Sequence, residues 1–344
     1  MTSRVVFFTE GSASIGLGHI TRCLSIAQAF EEHRVDCRFV IQGDDHVLKI
    51  KDLQHLELQN WIGFSDFRSL LNPEDIAIVD SYIAPLEIYK KIAQTGVLML
   101  CVDDFFRIDY PDEAIVLNGT FNIEQFTNRL PFKNALLGSQ FIPLRKPFWK
   151  VPARSCTASL QSVLVTFGGE DCRQLTAPVV NTLLDTFPNL QIHAVIGAAY
   201  QSALPNPHPR LKIHRNLSAA QMCDLMLQCD VAVSAAGQTL YELACTGCPT
   251  VAVKIANNQT HNFDGALALG VLDPQCAIDA SCLPTRDVIA SVARAVESLQ
   301  CHAKRTQLTA NSQRNVDGQG ARRVAEVVLS QAHECCHRNF ASSH

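Results

Sequence analysis

Short apolar, β-prone runs alternate with stretches of helical periodicity along this chain, which predicts mainly parallel sheets covered on both faces by helices. In the first half the runs fall at residues 4–9, 37–41, 76–80, 97–103 and 114–117, with a helix over about 20–32 after the first. Between residues 141 and 157 the pattern breaks around Pro143, Pro147 and Pro152, as expected of a linker. A second series then follows at 162–167, 191–196, 230–234 and 250–255. Each half begins with a strand, a glycine loop and a helix. Further on, Val324, Val327, Val328 and Ala332 recur at helical spacing over 321–332, a stripe suited to packing back on the first half. The final residues, 339–344, are expected to fray.

Composition narrows the class. At 344 residues the chain exceeds what one core usually fills, so two domains are expected. The boundaries predicted are 1–142 for the first α/β domain, 143–160 for the linker, 161–314 for the second domain and 315–344 for the returning helix and tail. A formal charge of -4 argues against nucleic acid as a partner, which calls for a basic surface. No signal-peptide pattern opens the chain and no apolar run approaches the ~20 residues that span a bilayer. A cytoplasmic protein without stable membrane association, and a monomer, is therefore expected. The 14 cysteines are spread along the apparent strands and helices, a distribution that favours reduced buried thiols. Cys245 and Cys248 form a lone CxxC and Cys335, Cys336 and His337 lie in a polar tail. Neither makes a convincing zinc site.

Two segments carry candidate chemistry. The first is Gly11-Ser12-Ala13-Ser14-Ile15-Gly16-Leu17-Gly18-His19-Ile20-Thr21-Arg22. Gly16 and Gly18 allow a tight turn and close approach of a ligand, and the unpaired amides at the following helix mouth welcome negative charge. The same field disfavours protonating His19, which leaves a neutral imidazole able to accept a proton. His19 is a candidate general base, or a residue that caps and packs the loop. The segment is neither a Walker loop, lacking the Lys-Ser/Thr pair, nor the dinucleotide fingerprint, lacking the third glycine.

The second is Ser234-Ala235-Ala236-Gly237-Gln238-Thr239-Leu240-Tyr241-Glu242, which reads as a strand end, a small-residue turn and a helix that stops before Gly247. Its turn can cradle phosphate. Glu242 either accepts hydrogen bonds from a ribose diol or stays solvated near the helix dipole. The amide-rich turn Asn257-Asn258-Gln259 after the next strand suits a sugar acetamide or a uracil edge, and equally a turn or capping role. Asp80 and the pair Asp103-Asp104 close apolar runs, where α/β sheets bind ligands. The pair could hold a cation, or position His19 or the sugar. No Asp, Glu and His cluster has metal-ligand spacing, and no metal or cofactor is expected.

Together Ile15-Gly16-Leu17-Gly18-His19-Ile20-Thr21-Arg22-Cys23-Leu24, Val79-Asp80-Ser81-Tyr82, Val102-Asp103-Asp104, Val165-Thr166-Phe167-Gly168-Gly169-Glu170-Asp171, Ala236-Gly237-Gln238-Thr239-Leu240-Tyr241-Glu242 and Asn258-Gln259 resemble the PseG/SpsG family. Its type is the UDP-2,4-diacetamido-2,4,6-trideoxy-β-L-altropyranose hydrolase of pseudaminic acid biosynthesis. The resemblance implies a GT-B-like pair of Rossmann-type α/β domains facing across a cleft, with UDP held mainly by the second. It implies that His19 activates water at the anomeric carbon with inversion, that Tyr82 and Asn258 lie near the sugar, and that Gly237 and Glu242 lie near diphosphate and ribose. Gly168, Gly169, Ser234, Gln238, Thr239 and Gln259 complete the expected ligand contacts. The family's Arg-Ala-Asp is replaced here by Phe8-Thr9-Glu10. The Gly237-Gln238-Thr239-Leu240-Tyr241-Glu242 block is shared with glycosyltransferases such as MurG, so a UDP-sugar transferase and a non-catalytic UDP-sugar-binding protein stand beside the hydrolase.

Overall fold

The computed structural model describes residues 4–12, 16, 18–45, 47–49, 55–121, 123, 134–169, 171–197 and 200–341. Ala13, Ser14, Ile15, Leu17 and Glu170 of the motifs above lie outside the described residues. The chain divides into two compact units, residues 1–146 with 319–344, and residues 147–318.

In unit 1 the strands β1 (Val5–Gly11), β2 (Cys37–Gly43), β3 (Leu56–Leu58), β4 (Ile76–Asp80), β5 (Leu98–Val102), β6 (Ile115–Asn118) and β7 (Ala135–Leu137) form one parallel sheet. Their order is β3-β2-β1-β4-β5-β6-β7. Every residue of β1 is buried, and its first four, Val5 to Phe8, read as an apolar run. Helix α1 (Gly18–Glu32) lays Ile20, Cys23, Ile26, Ala27 and Phe30 against the sheet. The larger of these, Ile20, Ile26 and Phe30, contribute about 1.5–3 kcal/mol each when fully buried. On one face Val6, Phe8, Val40, Trp61, Phe67, Val79 and Tyr89 share a core, to which α2 (Leu86–Ala93) adds Ile88 and Ile92.

Unit 2 repeats the plan. Its strands β8 (Ser162–Thr166), β9 (Gln191–Ile196), β10 (Leu211–Arg215), β11 (Val231–Ala235), β12 (Thr250–Lys254) and β13 (Ala277–Asp279) pair in parallel in the order β10-β9-β8-β11-β12-β13. The helices between these strands are α3 (Thr176–Thr186), α4 (Ala219–Gln228), α5 (Thr239–Cys245) and α6 (Thr260–Ala268), and α7 (Thr285–Ser298) and α8 (His302–Asn315) follow β13. Val163, Val165, Val231, Val233, Val251 and Val253 form the sheet side of its core. Finally α9 (Gly320–Ala341) returns to unit 1 and packs on α1, joined by the Arg322–Glu32 ion pair at 2.8 Å. It runs past the 321–332 stripe to Ala341; residues 342–344 of the end expected to fray lie outside the described residues.

Residues 147–160, expected as linker, are built into unit 2. Phe148 and Trp149 are buried. Arg154 donates to the Met226 and Cys229 carbonyls. The fully buried Arg305 donates to the carbonyls of Leu299 at 2.6 Å and Thr157 at 2.7 Å. An irregular backbone can lie inside a domain when its carbonyls are satisfied in this way.

Both sheets reverse strand order beside their first strand, between β1 and β4 and between β8 and β11. The carboxyl ends at such a switch point diverge and leave a crevice for ligand. Each candidate segment found in the sequence begins at one of these two places.

Candidate active site

In unit 1 the switch point brings together residues far apart in the chain. Thr9 pairs with Asp80 across β1 and β4, and α1 begins at Gly18, so the first turn of the helix overhangs the end of β4. Gly16 has φ +83°, a conformation that favours glycine, and pairs with Ser12 to close the turn before the helix. Gly18 is exposed at the helix start.

His19 is buried, and its Nδ1 lies 2.7 Å from Asp80 Oδ1. Arg22, one turn further along α1, grips the same carboxylate through Nε (2.8 Å) and Nη2 (2.7 Å) and reaches Asp104 Oδ2 through Nη1 (2.5 Å). Burial by itself would raise the Asp80 carboxyl, but the Arg22 and His19 charges and their hydrogen bonds hold it well below the usual carboxylate range. The buried Arg22, flanked by Asp104 and Asp80, is correspondingly pushed up. An ionised Asp80 fixes Nδ1 as the donor, so the neutral ring carries its lone pair on Nε2. That pattern, a base oriented by a carboxylate, is what proton abstraction needs. The helix mouth alone suggested a neutral histidine; the structure adds two carboxylates that stabilise the imidazolium once a proton has been taken.

Glu10 is the second of these. It is fully buried at the end of β1, accepts from the Ser81 hydroxyl and from the Tyr82 amide (2.8 Å), and places Oε1 3.9 Å from His19 Nε2. Phe8, where the family resemblance implied arginine, has joined the core against Trp61 and Phe67. Tyr82 is half-buried, with its ring edge-on to His19 at 4.3 Å and its hydroxyl donating to Asp104 at 3.2 Å. Burial beside Asp104 raises that phenol well above its ordinary range, so it stays a donor. Asp103, one candidate for positioning His19, instead accepts from the Phe105 and Arg107 amides and the Tyr110 hydroxyl, and so holds its own loop. Asp104 is linked to His19 through Arg22 and Tyr82.

In unit 2, Gly168 (φ +84°) and Gly169 form an exposed turn after β8. Gly197, at the end of β9, approaches so closely that an added Cβ would sit 2.3 Å from the Gly169 carbonyl oxygen. Asp171 is spent on the structure, capping the start of α3 through the Leu175 and Thr176 amides. At the neighbouring strand end Ser234 is buried and its hydroxyl donates to the Ala235 carbonyl. Gly237, Gln238 and Thr239 are part-exposed at the start of α5, and Glu242 is buried within that helix. Asn258 is exposed, whereas Gln259 uses its side-chain oxygen on the Ile255 amide at 2.9 Å. Asn262, absent from the candidates, ties the two turns together by accepting from Tyr241 at 2.5 Å and donating to the Ala236 carbonyl at 3.4 Å.

Among the described residues no group of three or more His, Cys, Asp or Glu side chains is arranged to hold a metal ion, and no helix is long and apolar enough to cross a membrane. The twelve cysteines from Cys23 to Cys301 are free thiols, with Cys172, Cys282 and Cys301 exposed rather than buried. Cys245 and Cys248 bond separately to the Phe148 and Cys229 carbonyls.

No protein-family model matches the chain. It is 26% identical over 287 residues to an uncharacterized protein of Methanocaldococcus jannaschii, covering 77% of this chain and 58% of that protein. It is 27% identical over 259 residues to the pseudaminic acid cytidylyltransferase and UDP-2,4-diacetamido-2,4,6-trideoxy-β-L-altropyranose hydrolase of Helicobacter pylori, covering 74% and 45%. The chain thus spans about half the length of these two relatives. The spore coat polysaccharide biosynthesis protein SpsG of Bacillus subtilis is 23% identical over 344 residues, with 94% and 97% covered. The resemblance read from the motifs is met by relatives bearing those names. Among solved structures, Acinetobacter baumannii MurG superposes with a TM-score of 0.62 at 13% identity over 95% of this chain and 99% of that one. The UDP-GlcNAc 2-epimerase of Neisseria meningitidis gives 0.60 at 10% identity over 95% and 100%. The fold is GT-B-like, two parallel-sheet α/β domains.

Proposed function

We propose that the chain is a UDP-sugar hydrolase that releases UDP by water attack at the anomeric carbon with inversion, on UDP-2,4-diacetamido-2,4,6-trideoxy-β-L-altropyranose in pseudaminic acid biosynthesis. The observation that carries this reading is the buried His19–Asp80 pair at 2.7 Å, with Nε2 left as the proton acceptor. UDP is a competent leaving group, so the protein has only to orient water, remove its proton and stabilise the departing diphosphate. His19 takes the proton on Nε2 as the water oxygen bonds to the anomeric carbon, and the C–O bond to the diphosphate breaks with its electron pair on UDP. Tyr82 and Asn258 are assigned to the sugar. Gly16 and Gly18 give its loop room for close approach. The Gly168–Gly169 turn and Gly237, Gln238 and Thr239 are assigned to the diphosphate, and Glu242 to the ribose. Ser234 and Gln259 act by shaping those turns. The relatives' names agree with a UDP-sugar substrate in pseudaminic acid chemistry, and a cytoplasmic location is part of the proposal.

The test is to incubate the protein without acceptor or added metal with the diacetamido-trideoxy substrate and with UDP-GlcNAc, following free UDP and the anomer released. Release from the first with inversion is expected. His19→Asn should keep UDP affinity and lose about 10²-fold or more in turnover, the scale of a general base. UDP binding without release would place the chain among transferases, and equal loss of binding and turnover in His19→Asn would make the histidine structural.

A further inference from the structure

We infer that Glu10 is a second catalytic residue, one that shares the attacking water with His19. The inference rests on the hydrolytic reading above, and it comes from a mismatch in the site. With Nδ1 committed to Asp80, His19 presents a lone pair on Nε2, and what faces it at 3.9 Å is another acceptor, Glu10 Oε1. Two acceptors at that separation do not bond to each other. A molecule with two donor hydrogens, about 2.8 Å from each, satisfies both. It would see them roughly 90° apart, near the angle between the hydrogens of water.

Glu10 is held for this purpose. Its backbone sits in the fully buried β1, and its carboxylate is anchored by the Ser81 hydroxyl on Oε2 and the Tyr82 amide on Oε1. Oε1 keeps a lone pair for one more donor. Ser81 and Tyr82 immediately follow Asp80, so the turn that fixes the histidine's partner also fixes the second carboxylate. A water with both hydrogens engaged points a lone pair outward, toward an electrophilic carbon. As its oxygen bonds to that carbon one proton passes to Nε2, the other stays on the product hydroxyl and remains bonded to Glu10, and the electron pair of the broken C–O bond leaves with UDP. Glu10 accepts no proton. It orients the nucleophile and then faces the imidazolium with opposite charge.

Glu10→Gln is the decisive variant: an amide oxygen at the Oε1 position still accepts from Tyr82, while the negative charge that strengthens the bond to water and faces the imidazolium is lost and the Oε2 acceptor of Ser81 becomes a donor. Steady-state release of UDP from the diacetamido-trideoxy substrate should fall about 10-fold or more in kcat, with KM and UDP affinity within about threefold. The double variant with His19→Asn should be no slower than His19→Asn alone, since groups that act on one water do not add. Turnover within twofold of wild type, a double loss equal to the product of the single losses, or a parallel loss of UDP affinity would each overturn the role. If Glu10→Gln does not fold, Glu10→Asp, which withdraws the carboxylate by one methylene, carries the same expectation and the same refutation. A wild-type protein that releases no UDP without acceptor refutes the hydrolytic reading itself and this inference with it. An active wild type with an indifferent Glu10 refutes only the inference.

Discussion

Replacing Asp80 by Asn tests whether the histidine site is also a support of unit 1. Asp80 accepts three strong side-chain hydrogen bonds, one from His19 and two from Arg22, and a weak fourth from the Cys23 thiol. Asn can keep an oxygen at the Oδ1 position, which serves His19 and Nη2, but its NH2 then opposes the Arg22 Nε donor. One charge-assisted bond is lost outright, at about 1.5–3 kcal/mol, and the other two weaken to neutral-acceptor strength. Removing one member of a buried ion pair commonly costs about 3–5 kcal/mol. Asp104 still holds Nη1, so a loss of roughly 2–4 kcal/mol is expected. The chain's two tryptophans, Trp61 and Trp149, are both buried, one in each unit. A Trp149→Phe background therefore reports unit 1 by fluorescence during denaturant unfolding, and a Trp61→Phe background reports unit 2. Asp80→Asn should lower the first transition and leave the second in place.

The pH dependence follows from the same carboxylate. Because the folded chain holds it below the usual range, its stabilisation is complete above the unfolded-chain value of about 3.9 and drains away as pH falls through that value toward the depressed one. The variant should lack that part of the acid loss. An unchanged unit 1 transition, within about 0.5 kcal/mol, or an identical acid limb in both proteins, would refute the reasoning.

Two further outcomes are expected in unit 2. Glu242→Ala should weaken UDP binding about 10-fold by calorimetry, as two hydrogen bonds to a ribose diol would imply, while the Trp149 transition stays where it is; unchanged affinity would return Glu242 to a structural role. Gly197→Ala puts a Cβ 2.3 Å from the Gly169 carbonyl, so the turn has to shift. A loss of about 1–3 kcal/mol in the Trp149 transition together with weaker UDP binding is expected, and a neutral outcome would show that the turn moves freely.

The central strands were legible in the sequence because burial on both faces makes them continuous apolar runs. The four strands that were not legible, β3, β7, β10 and β13, are the four sheet edges. Each is short or part-exposed, and β10, with Lys212, His214 and Arg215, reads as polar. The glycine loops and His19 could also be found, since they are local. The partners of His19 could not be assigned: Asp80 and Glu10 reach it through strand pairing rather than along the chain. Asp80 at the end of an apolar run, and Arg22 three positions after His19 on the same helix face, were the available signals. Asp103 shows the limit of such a signal, because an aspartate at a strand end is equally suited to holding its own loop.

The return of α9 to unit 1 has a consequence for how the chain is made. Unit 2 occupies one continuous stretch, 147–318, whereas unit 1 is closed only when residues from 319 onward arrive. On the ribosome the first unit is begun earliest and completed last. Until then the face of α1 that meets α9 waits uncovered, and Glu32 without Arg322. The inserted unit can finish its own core in the interval, so the interval during which the first unit is exposed to misassembly is set by the length of the second.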